Sequence, residues 1–121
     1  MLFRSSISEP LLSKKKIKNG AAARVTVEVA NTGDRAGAET IQMYIRDTYS
    51  SATRPMKELK GFQKIALQPG ETKTVAFDIT PDLLAFYDAD KKFVVEPGEF
   101  QIMVGNSSRD ADLKTAILVV Q

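Results

Sequence analysis

"RVTVEVANTG", Arg24 to Gly33, alternates apolar and polar side chains until a turn signal closes it. Successive side chains of an extended chain point to opposite faces, so Val25, Val27 and Val29 share one side while Thr26 and Glu28 take the other. β-Branched residues favour that geometry, and Asn31-Thr32-Gly33 offers residue types that reverse a chain. The stretch therefore reads as a half-buried strand followed by a turn.

The same period of two returns along the chain. "GAETIQMYIRDT" sets Ile41, Met43 and Ile45 inward against Thr40, Gln42, Tyr44 and Arg46, and "ETKTVAFDI" buries Val75, Phe77 and Ile79. "GEFQIMVG" alternates Phe100, Ile102 and Val104 against Glu99 and Gln101. "DLKTAILVV" offers Leu113, Ile117 and Val119, and "KKFVVEP" is a shorter strand. Turns are expected at Asn19-Gly20, Asn31-Thr32-Gly33, Pro69-Gly70 and Pro97-Gly98.

Six or seven antiparallel strands at this spacing predict an all-β, immunoglobulin or fibronectin type III-like β-sandwich. "TPDLLAFYD" predicts one helical turn, with Thr80 as cap and Pro81 at the first helical position. Tyr87 follows where a tyrosine corner is expected. "LFRSSISEP" is read as the first edge strand, where Pro10 is tolerated because no ladder donor is needed. Lys14, Lys15, Lys16 and Lys18 read as a solvated hairpin tip that discourages edge-to-edge association.

Composition narrows the chemistry. At 121 residues the chain fits a single domain, 1–121, able to bury a core. A net charge of +2, from 17 basic and 15 acidic residues, argues against nucleic acid or an anionic membrane as partner. With no Cys and no His, disulfides, thiolate metal sites and histidine-based catalysis are excluded. The paired aspartates of Asp88–Asp90 and Asp110–Asp112 lack the further oxygen ligands and glycine of a calcium loop, so no metal is expected. "GNSSRD" at Gly105 to Asp110 has neither the lysine nor the helix of a phosphate-cradling loop and reads as a turn. The first residues contain no apolar run long enough for a signal peptide, which predicts a soluble, untargeted chain.

"RPMKELKGFQKIALQPGE", Arg54 to Glu71, is harder to place. In its strand Leu59, Gly61, Ile65 and Leu67 form the apolar face, which leaves Phe62 between Lys60 and Lys64 on the other. A β-bulge at Gly61 that turns Phe62 into the core is the preferred reading, because glycine inside a strand often marks one. The alternative keeps Phe62 outward as an anchor for a partner. The preceding Asp47–Lys57 connection is long for a compact domain, and such loops are often functional.

These residues carry a resemblance. "RPMKELKGFQKIALQPGETKTVAFDI", with "VTVEVANTGDRAGAETIQMYI" before it and "FVVEPGEFQIMVGNSS" after it, resembles the fibronectin type III-like C-terminal module of glycoside hydrolase family 3 enzymes, the β-glucosidases and β-xylosidases. Several motifs in the right order, from about Arg24 to Ser108, carry it.

The resemblance implies a C-terminal piece of a larger, periplasmic or secreted glycosidase. The family's nucleophilic Asp belongs to a (β/α)₈ barrel and its acid/base Glu to an α/β domain, so this chain is expected to hold no catalytic residue and no cofactor. The catalytic domains of the parent are the implied partner. Expected interdomain contacts are Arg54, Pro55, Lys57 and Phe62, with Gln42 and Tyr44 on the adjoining face. The alternative is an autonomous module that binds polysaccharide or protein. Tyr44, Tyr49 and Tyr87 would be its stacking groups, since there is no Trp.

Overall fold

The computed structural model describes residues 4–18, 20–47, 57–84, 86–87, 93–94, 98–107, 109 and 112–121. They form the predicted all-β sandwich. Its elements are β1 (Ser5–Ile7), β2 (Leu11–Leu12), β3 (Lys16–Ile17), β4 (Ala23–Asn31), β5 (Gly37–Asp47), β6 (Glu58–Leu67), β7 (Thr72–Ile79), α1 (Pro81–Leu84), β8 (Phe86–Tyr87), β9 (Phe93–Val94), β10 (Gly98–Gly105) and β11 (Leu113–Val120). In the first sheet β4 pairs with β1 and β2 on one side and with β7 on the other; the second runs β3-β11-β10-β5-β6, and β8 pairs with β9 alone.

The core lies between the two sheets and follows the alternation of the long strands. Val25, Val27 and Val29 of β4 and Val75, Phe77 and Ile79 of β7 meet Ile41, Met43 and Ile45 of β5 and Phe100, Ile102 and Val104 of β10. Removing this apolar area from water is the main favourable term in folding. Asn31 is the one buried polar residue among those described, and it is fully engaged. Its Nδ2 donates to the carbonyls of Arg35 (2.8 Å) and Leu67 (3.4 Å), and its Oδ1 accepts from the Gly33 amide (2.9 Å). Its amide donates to the Glu71 carbonyl and its carbonyl accepts from the Gly70 amide, so this one residue joins the end of β4 to both flanking turns.

Pairing along the N-terminal segment breaks at Ser8–Pro10, and serine hydroxyls fill the ladder. Ser8 Oγ accepts from the Glu28 amide and Ser13 Oγ from the Arg24 amide. Pro10 is thus accommodated between two short edge strands rather than at the end of one. The chain then crosses to the second sheet, where β3 runs parallel to β11. The lysine run therefore lies along and beside the short edge strand β3, with Lys16 in it, and not at a hairpin tip. Ile17 enters the core and draws the segment across, while Lys14, Lys15, Lys16 and Lys18 stay exposed.

Two further expectations change. In β11 it is Leu118 and Val120 that face the core, opposite Phe100 and Gly98, whereas Ile117 is 42% exposed. Both phases of this strand are apolar, and the register with β10 selects between them. In β6 a bulge does exist, but it does not turn Phe62 inward. Met43 pairs with Gly61 and Tyr44 with Leu59, which leaves Lys60 as the extra residue. Gly61 faces the core, Phe62 is 68% exposed, and the residue that changes face is Leu59, at 50% exposure.

The helical turn forms where predicted. Leu84 is buried, the Leu83 amide donates to the Thr80 carbonyl, and the Thr80 hydroxyl donates to the Asp82 carboxylate. The tyrosine corner at Tyr87 concerns a side chain outside the described residues, as do the Asp88–Asp90 pair and Tyr49.

Candidate interdomain contact face

The outer face of the second sheet collects the unusual side chains. The register sets Leu59, Tyr44, Met103 and Thr115 in one cross-strand row, and Phe62, Gln42, Gly105 and Leu113 in the next. Side chains in such rows are neighbours on one face. Tyr44, Met103 and Leu113 form a small apolar cluster there, separate from the main core. Tyr44 Oη donates to Gln42 Oε1 at 2.6 Å, and Lys57 Nζ sits 5.8 Å from the centre of the Tyr44 ring, within cation–π range. Arg46, next along β5, has a buried Nε with no hydrogen-bond partner.

Of the contact residues read from the sequence, the fold brings Gln42, Tyr44, Lys57 and Phe62 onto this face; Arg54 and Pro55 lie outside the described residues. Their roles differ. Tyr44 is 8% exposed and forms part of the floor, whereas Phe62 projects from the edge strand. Leu59 was missed, because simple alternation assigns it to the core face. The local signal was the three-residue spacing Leu59-Lys60-Gly61-Phe62, which is compatible with one face only if the strand carries an extra residue.

Four of the described carboxylates are tied into structural bonds. Asp78 accepts from Arg24 Nε at 2.8 Å, Glu39 from Ser5 Oγ at 2.7 Å, and Glu58 meets Lys60 at 3.4 Å. Asp112 accepts from Ser107 Oγ (2.7 Å) and Arg109 Nε (3.0 Å), and the first of these bonds, aided by the second, holds its carboxyl below the ordinary carboxylate range. A general acid in glycoside hydrolysis needs the opposite displacement. Among the described residues no three acidic side chains converge as a metal site would require.

The fold and the sequence define the class. Residues 39–108 match the fibronectin type III-like domain family, and the chain belongs to it, in the form carried by glycoside hydrolase family 3 enzymes. It is 50% identical over 112 residues to a β-xylosidase of Formosa agariphila, a match covering 93% of this chain and 16% of that protein. Thermostable β-glucosidase B of Acetivibrio thermocellus is 44% identical over 113 residues, covering 93% of this chain and 15% of its own. The solved structure of a β-glucosidase from Erythrobacter marinus superposes with a TM-score of 0.92 at 40% identity, over 98% of this chain and 16% of that one. The chain thus spans about a sixth of the proteins it resembles.

Proposed function

We propose that residues 1–121 are one non-catalytic accessory domain of a β-glucosidase-like enzyme that hydrolyses terminal β-linked sugars. The domain packs against the catalytic domains and stabilises them. The observation that carries this reading is the match of nearly the whole chain to a sixth of β-glucosidase and β-xylosidase chains. The engagement of Asp78 and Asp112 in structural bonds supports it.

The contact surface is the face bearing Gln42, Tyr44, Lys57 and Phe62, with Arg54 and Pro55, just before Lys57 in the sequence, as further contacts. An exposed phenylalanine next to a partly desolvated tyrosine and a lysine has the composition of an interface centre. Polysaccharide is the weaker partner. The Tyr44 ring is nearly covered and its hydroxyl is committed to Gln42, so it offers no open platform for a sugar.

The test uses the full-length polypeptide with and without this domain. Its removal is expected to lower the melting temperature and the yield of active enzyme. The isolated chain is expected to show no turnover of a chromogenic β-glucoside and no heat with cello- or xylo-oligosaccharides. A catalytic portion equally stable and active without the domain would refute the reading.

A further inference from the structure

The bulge in β6 does more than bend an edge strand. Were Lys60 paired in a regular ladder, with no bulge, strict alternation would put Leu59 and Phe62 on opposite faces. With it, both stand on the outer face, 50% and 68% exposed, beside the row that holds Tyr44 and Gln42. The two project from the outermost strand of the sheet, so among the described residues nothing in the ladder lies beyond them. Large apolar side chains placed this way cost solubility and contribute nothing to the domain's own core.

We infer that Leu59 and Phe62 form a two-pronged anchor, built by the bulge at Lys60, that seats in an apolar recess with a carboxylate rim elsewhere on the same longer polypeptide. This rests on the accessory-domain reading. Two observations choose the occupant. Matched relatives continue for about five-sixths of their length beyond the region they share with this chain, so the partner surface has ample sequence to come from. The segment from Lys57 to Lys64 carries three lysines against one glutamate, and a basic rim around an apolar centre is complemented by an acidic rim around an apolar recess. The two prongs also fix the angle of docking, which a single exposed side chain does not.

The experiment is calorimetry of the full-length polypeptide. The wild type is expected to melt with this domain coupled to the rest, above the transition of the isolated 121-residue chain. The double variant Leu59→Ser/Phe62→Ser is expected to split the profile, with the domain melting at its isolated temperature. Deleting Lys60, which leaves Leu59 and Phe62 two apart on one face of a regular strand, is expected to preserve the coupling, as is Lys60→Ala. Ile117→Ser, on the far strand of the same sheet, serves as a control and leaves the profile unchanged. If the double variant melts as one coupled unit like the wild type, the anchor is wrong although the accessory role stands. If the wild type itself melts uncoupled, both are wrong.

Discussion

Gly61 lies against the ring of Phe77: a Cβ on Gly61 would stand 3.1 Å from Phe77 Cδ1 and 3.4 Å from Cε1. The contact locks β6 onto the core at the point where the bulge redirects the strand, and it sets neighbouring residues to opposite tasks. Gly61→Val should overpack this site and lower stability by about 1–3 kcal/mol. Phe62→Ser, one residue on, should change the stability of the isolated domain by about 0.5 kcal/mol or less, as exposed sites do. Chemical denaturation of the two variants measures the contrast, and similar losses in both would mean that Phe62 packs inward.

Gly105 makes a closer approach, this time to backbone. An added Cβ would fall 2.2 Å from the carbonyl oxygen of Asp112, which a side-chain rotation cannot relieve. Gly105→Ala should therefore cost about 3 kcal/mol or more, at the upper end of overpacking. It should also weaken amide-exchange protection at Leu113 and Lys114, where β11 begins opposite β10.

Asn31 occupies a buried position at the end of β4 and bonds three backbone groups through its side chain. Asn31→Leu should lower stability by about 1–3 kcal/mol, because the freed carbonyls and amide stay partly buried without partners. The midpoint of urea unfolding measures the loss. An unchanged midpoint would show that water reaches these groups readily.

The Asp112 carboxyl is held below its ordinary value first by the Ser107 hydroxyl and then by Arg109. A depressed folded-state value stabilises the fold above the unfolded carboxylate range, and that contribution is lost as pH falls through the folded value. Ser107→Ala should move the Asp112 titration upward toward the ordinary range, by carboxyl NMR, and make the acid limb of the stability profile shallower. Lys114→Ala, which leaves both donors in place, should do neither.

Among the described residues β6 and β7 are the outer strands of the two sheets, and side chains stitch one to the other. Gln63 Nε2 donates to the Ala76 carbonyl and Lys73 Nζ to the Ala66 carbonyl. These bonds occupy edge acceptors that a foreign strand would use. Gln63→Ala/Lys73→Ala should promote self-association in sedimentation velocity at concentrations where the wild type shows none. A monodisperse double variant would assign the protection to the exposed lysines instead.

Local alternation was enough to identify β4, β5, β7 and β10 with the faces they turn to the core, because in each of them the core phase is apolar and the other is mostly polar. The absence of His and Cys was enough to remove most catalytic chemistry, and the ordered motifs from Arg24 to Ser108 were enough to point to the family. Tertiary structure decided what local pattern left degenerate. In β11 both phases are apolar, so the pairing of Leu118 with Phe100 chose the core face over Ile117. In β6 the extra residue is a mismatch between two strands, visible only once Met43 is set against Gly61 and Tyr44 against Leu59. Ile17 reached the core by crossing between sheets, a path that depends on β11 about a hundred residues later. A side chain's alternation is a property of its own strand, whereas register, bulges and sheet switching are properties of a pair, and the contact face around Leu59 and Phe62 is made of the second kind.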